Sequence, residues 1–194
     1  MPKPVANWIL IPAGNMLVEG ATKTELQQLA QLSVNEMVLA LGQTPPTGVS
    51  LVPNNISPAT MTVPPGQPMV LATNPIFNVD AISGTPLYQN SLTIFWNDPV
   101  TGYLKTESSS DASIPFNPAA AISVDWSILG PLLTSPNNTL RQIAHNVSAF
   151  AVAADSNQNG GEVFDIGLTL TENLPGTQRV AQAVIYRKVY PRNH

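Results

Sequence analysis

Nine prolines fall between positions 44 and 86 (Pro45, Pro46, Pro53, Pro58, Pro64, Pro65, Pro68, Pro75 and Pro86), and no other feature restricts the fold as strongly. Each lacks a backbone N–H and cannot donate to a sheet ladder, so only short extended pieces fit between them. The pieces at 49–52, 61–63 and 69–73 are expected as edge strands or loops.

Residues 24–41 follow a different rule. Leu26, Leu29, Ala30, Ser33, Met37, Ala40 and Leu41 recur at three- and four-residue spacing, and Val34 and Val38 widen the stripe. That period predicts one amphipathic helix over 22–42. Thr22 or Thr24 is the expected cap, Glu25 suits the first turn, and Gly42 with Pro45 and Pro46 ends the helix. Residues 1–21 are expected as an extended N-terminal segment.

Further on, 91–96 is rich in β-formers, Asn97 to Gly102 supplies turn chemistry, and 103–106 reads as the return strand of a hairpin. Residues 107–136 hold no sustained period and read as a surface excursion anchored by Ile122, Val124, Trp126 and Leu129. Thus 43–137 comprises Pro-rich strands, the hairpin and this excursion. The last part, 138–194, contains extended runs at 140–154, 163–171 and 178–190, separated by Asp-, Asn-, Gly- and Pro-rich turns. An antiparallel three-stranded meander is the natural reading. Phe164, Ile166, Leu168 and Leu170 alternate along the middle run and give one apolar face for the helix. In the third run Ala181, Ala183, Ile185 and Val189 share a face with Arg187, and the small Ala side chains permit close approach of the helix. The fold class expected is α+β, a single domain over 1–194 with the helix packed on an antiparallel sheet.

Composition narrows the function. Only 10% of the 194 residues are charged, against roughly 25% in average soluble proteins. The polar surface must come from Ser, Thr, Asn, Gln and backbone, a usage common in secreted and surface proteins, so an extracytoplasmic, β-rich domain is expected. With net charge −4, a broad phosphate-binding face is not expected, and neither is nucleic acid as a partner. The early apolar run at 8–13 is broken by Pro12 and falls short of the ~20 residues a membrane span needs. Cysteine is absent, which removes thiolate nucleophiles and Cys-based metal sites.

His145 and His194 are the only histidines, and no HExxH, GxSxG, GxGxxG or P-loop pattern occurs, so the chain is not expected to be an enzyme. Asp155, Asn157 and Asn159 alternate before Gly160 as in the first half of a calcium loop, with Glu162 nearby, but the twelfth position is Ile166 rather than Glu. Weak Ca2+ binding and ordinary turn chemistry both fit this pattern. Arg179, Arg187, Lys188 and Arg192 concentrate half of the eight basic residues at the chain end and are candidate contacts to an acidic neighbouring subunit. Trp8, Trp96 and Trp126 raise the idea of a sugar-stacking platform, yet they are far apart and lie among apolar neighbours, which favours core filling.

The order of elements, with "LTIFWNDPVTGYLKTE", "TLRQIAHNVSAFAV", "GEVFDIGLTLT" and a closing "RVAQAVIYRKVYPRN", resembles the soluble head of type IV pilin-like proteins, in particular minor pilins and J-class pseudopilins of type II secretion. The matching residues are Asp98, Pro99, Thr101, Gly102 and Leu104, then Ile143, Ala144, Asn146, Val147, Phe150 and Val152. Ile166, Leu168, Thr169 and Leu170 follow, and Val189, Pro191, Arg192 and Asn193 close the pattern. The resemblance spans 91–194. It implies a structural subunit of a pilus or secretion filament whose partners are other pilin or pseudopilin subunits. It also implies surface or periplasmic residence, with membrane anchoring before assembly through an apolar helical half that these residues do not include. A surface adhesin or carbohydrate-binding β-domain, and a virion structural protein, are the rival readings.

Overall fold

In the computed structural model, which describes residues 10–110, 114, 116–136, 140–158 and 161–191 (backbone alone for 10–15, 156–158 and 161), the chain is α+β with one long N-terminal helix and antiparallel sheets. Helix α1 runs Leu10–Gly42, 33 residues or about 50 Å at 1.5 Å per residue. It begins well before the expected 22–42. Residues 10–21 are therefore helical, not extended. Thr24, expected as a cap, lies inside the helix, and its hydroxyl donates to Gly20 O at 2.8 Å.

The C-terminal half of α1 buries Leu26, Ala30, Val34, Met37 and Leu41, each 1% exposed or less. Past Gly42 the turn is closed by Gln43 N–H on Ala40 O and Thr44 N–H on Leu41 O. A short 3-10 turn, Pro46–Gly48, then leads into the first sheet. Gly48 is held by close approach: a Cβ there would meet Asn74 O at 2.6 Å.

The first sheet takes the order β1 (Val49–Val52), β2 (Val70–Thr73), β5 (Leu92–Asp98), β6 (Tyr103–Ser109), β7 (Arg141–Ala144), every neighbour antiparallel. A small separate hairpin, β3 (Ile76–Val79) with β4 (Pro86–Tyr88), lies between in sequence. β2 corrects the expectation of edge strands or loops for this region, because it sits between two partners with all four residues buried. Pro68 and Pro75 flank it rather than interrupt it, so its donors stay available. The piece at 61–63 forms no strand.

The second sheet is the expected meander, in the order β10 (Val180–Val189), β9 (Gly161–Asn173), β8 (Val147–Gln158). The run at 140–154 does not stay in one piece: it bends at His145 and Asn146, sending β7 to the first sheet and β8 to the second. Asn146 takes a left-handed φ of 58°, which asparagine tolerates better than most residues. Its carbonyl accepts Thr171 N–H, and Val147 N–H donates to Gly102 O, so the corner is pinned to both sheets.

Two cores result. In the larger, α1 meets Phe150, Phe164, Ile166, Leu168, Leu170, Ala181 and Ala183 of the meander, together with Leu71, Phe95 and Leu104 of the first sheet. The opposite face of the first sheet (Val70, Ala72, Leu92, Ile94, Trp96) is covered by Ile114, Ile122, Val124, Leu129 and Leu133. The expected excursion thus supplies a second core. It also contains helix α2 (Trp126–Leu133), capped by Asp125, whose side chain accepts from Ser127 N–H and Ile128 N–H. The buried Asn74 links the layers: its Nδ2 donates to Gln89 O and Ser91 O, and its Oδ1 accepts Ile122 N–H.

Candidate functional site

Three surfaces carry the residues with functional potential. The first is the projecting half of α1. Met16, Leu17 and Val18 are 72%, 75% and 49% exposed, whereas burial begins in earnest at Leu26. One ion pair, Arg179 Nη1 to Glu19 Oε2 at 3.2 Å, braces this half against the start of β10. Among the described residues no helix is long and apolar enough to cross a membrane.

The second is the outer face of β10, an edge strand among the described residues. Val180, Val184, Tyr186 and Tyr190 form an exposed apolar row there. The basic residues expected to act together do not form one patch. Arg179 lies before the strand and Lys188 near its far end, about 30 Å apart at strand rise. Arg187 and Lys188 are consecutive in the strand and project to opposite faces of the sheet. Lys188 is held by Asp155 at 3.5 Å and Asp165 at 3.6 Å. Burial works to lower its pKa, but the attraction of Asp165, and then the hydrogen bond and charge of Asp155, raise it on balance. Arg187 is exposed and has no ion-pair partner among the described residues. Arg192 lies outside them.

Of the residues considered for calcium, only part lies among the described residues. Asp155 and Asn157 lie in β8 and Glu162 in β9, with Gln158 paired to Gly161. The Asp155 carboxylate faces the Lys188 ammonium at 3.5 Å. Asn159 and the side chain of Asn157 lie outside the described residues. Among those described, no group of three or more His, Asp or Glu could hold a metal ion. His145 is exposed at the bend between the sheets.

The third surface holds two of the three tryptophans whose separation in the sequence favoured core filling over a stacking platform. Trp96 and Trp126, distant in the chain, line one cleft of about 460 Å³ together with Asp98, Thr101, Lys105, Thr134 and Ser135. Trp96 is 5% exposed and fills the core as expected, but Trp126 is 37% exposed. Its indole lies over Gly130, where a Cβ would meet the ring at 2.8 Å. Trp8 lies outside the described residues. The cross-strand pair of Trp96 and Lys105 places the ammonium 4.9 Å from the ring centre, a cation–π contact.

Asp98 organises the rim. It accepts from Val100 N–H at 3.0 Å, Thr101 N–H at 3.3 Å, Thr101 Oγ1 at 2.7 Å and Lys105 Nζ at 3.2 Å. Burial pushes its carboxyl pKa up, but the Thr101 hydroxyl, Val100 N–H, Lys105 ammonium and Thr101 N–H outweigh it and hold the group below its ordinary value. Gly102, at φ 68°, closes the turn with its N–H on Asp98 O. The tryptophans were the signal in the sequence that pointed here; the register that pairs Trp96 with Lys105 comes from the structure. Compared with protein-family models, curated proteins and solved structures, the chain matches none.

Proposed function

We propose that this chain is a structural subunit of a type IV pilin-like filament, a minor pilin or pseudopilin, acting by protein–protein packing. The observation that carries the reading is the asymmetry of α1: its C-terminal half buries one face, from Leu26 to Leu41, in the core, while none of the described side chains from Met16 to Glu25 is buried and Met16 and Leu17 are bare. Bare apolar side chains in consecutive positions on a rigid helix are unfavourable in water and suit a helix that continues into a bundle with its neighbours. In this reading the pilin-like order of helix, sheet and closing meander presents the outer face of β10, with Val184 and Tyr186, to an adjacent subunit. The protein resides at the cell surface or in the periplasm.

The test is a double replacement, Met16→Glu with Leu17→Glu, in the full gene of the producing organism. Both side chains are mostly exposed, so the thermal midpoint of the soluble domain should stay within about 2 °C. The amount recovered in sheared surface filaments or in crosslinked complexes with other filament subunits should fall at least tenfold. Unchanged recovery, or absence of the parent protein from any filament fraction, refutes the assignment.

A further inference from the structure

We propose that the cleft between Trp96 and Trp126 is a binding site for a neutral saccharide, a function separate from filament packing and independent of it. The cleft is about 460 Å³, within the ~300–1,000 Å³ span of small-molecule sites. Its apolar lining is flat and rigid: the partly open indole of Trp126, the wall of Trp96, and the rings of Pro68, Pro99 and Pro136. Such a surface matches the C–H face of a pyranose ring, which stacks on indole with its hydroxyls directed outward.

The polar groups sit around that platform as a sugar needs them. The Thr101 and Thr134 hydroxyls spend their hydrogens on Asp98 Oδ2 and Gly130 O, which leaves their oxygens as acceptors. The Lys105 ammonium has three donors and gives one to Asp98, so it can donate to a ligand oxygen while its position is fixed by the carboxylate and the Trp96 ring. Trp96 also carries a buried indole N–H with no acceptor among the described residues. Leaving such a donor unsatisfied costs ~1–3 kcal/mol.

Two other ligand classes fit less well. The Asp98–Lys105 pair is electrically neutral, so nothing in the cleft selects a phosphate or an anionic polymer. A peptide would be read through main-chain hydrogen bonds, but the N–H groups of Val100, Thr101 and Gly102 are all taken by Asp98.

The experiment titrates the whole chain, labelled with nitrogen-15, with four neutral disaccharides: cellobiose, maltose, lactose and chitobiose. At least one should bind with a dissociation constant of about 10 mM or tighter, shifting the indole N–H signals of Trp96 and Trp126. The affinity should be the same at roughly 50 and 500 mM NaCl, as a neutral ligand requires. Trp126→Ala should lower it at least tenfold, and Lys105→Met, which keeps the stem on Trp96, should lower it several-fold. Thermal melts establish that each variant is folded; if Trp126→Ala is not, the indole shifts in the parent protein decide alone. No shift with any of the four sugars, shifts confined to residues outside the cleft, or shifts produced only by a proline-rich peptide would overturn the proposal.

Discussion

On one face of the five-stranded sheet, α1 and the meander bury Leu71, Phe95 and Leu104; on the other, an irregular segment and the two-turn helix α2 bury Val70, Ile94 and Trp96. The first cover is made of regular elements whose backbone groups satisfy one another, so apolar area carries most of it, with the buried Ser33 hydroxyl donating to Ile143 O as a polar tie. The second cover has few internal ladders. It is fastened by single polar anchors: Asn74 joins the sheet to Ile122, Ser50 of β1 accepts Val124 N–H, and within the cover Asp125 caps α2. Regular layers are held mainly by area, and irregular ones need specific hydrogen bonds as well. The irregular cover is also where the cleft opens.

The largest effect should come from the regular side. Phe95→Ala removes a fully buried ring from the larger core and should cost about 3–5 kcal/mol, read by urea unfolding with an unchanged slope. A smaller loss would mean that this face is not the dominant core.

Asn74→Ala should cost about 3 kcal/mol although it removes little apolar area, because it strands two carbonyls and one N–H inside the protein. Amide exchange should quicken at Ile122 and across α2 while α1 stays protected. A loss below about 1 kcal/mol, or uniform loosening of both covers, would erase the contrast drawn between them.

The smallest effect concerns the rim of the cleft. Because the folded-state pKa of Asp98 lies below its ordinary 3.8, its contribution is fully present above that value and is lost as pH falls through the folded pKa. Asp98→Asn should therefore lower the thermal midpoint near neutrality, with the gap to the parent chain closing as pH falls below about 4, so that the acid limb is flatter. An acid limb identical to that of the parent chain would remove Asp98 from this role.

Some of this was written in local pattern. The packed half of α1 was legible because Leu26, Ala30, Val34, Met37 and Leu41 repeat at helical spacing, and the meander because β9 alternates and its turns are rich in Asn, Gly and Pro. The projecting half of α1 was not legible: it packs on little, so Met16, Leu17 and Val18 follow no period, and Gly14 and Gly20 weaken the propensity signal. α2 was missed because eight residues containing Pro131 leave too short a window for a period. β2 read as an edge because Pro68 and Pro75 lie so close, although both fall just outside its ladder.

The sequence by itself determined the α+β class, the helix that enters the core and the meander, since each depends on residues within a few positions of one another. Only the tertiary structure decided which strand is central, where the run at 140–154 changes sheets, and that Trp96, Lys105 and Trp126 share one cleft. Those outcomes depend on contacts between distant segments, such as Val147 N–H on Gly102 O, and no local period encodes them.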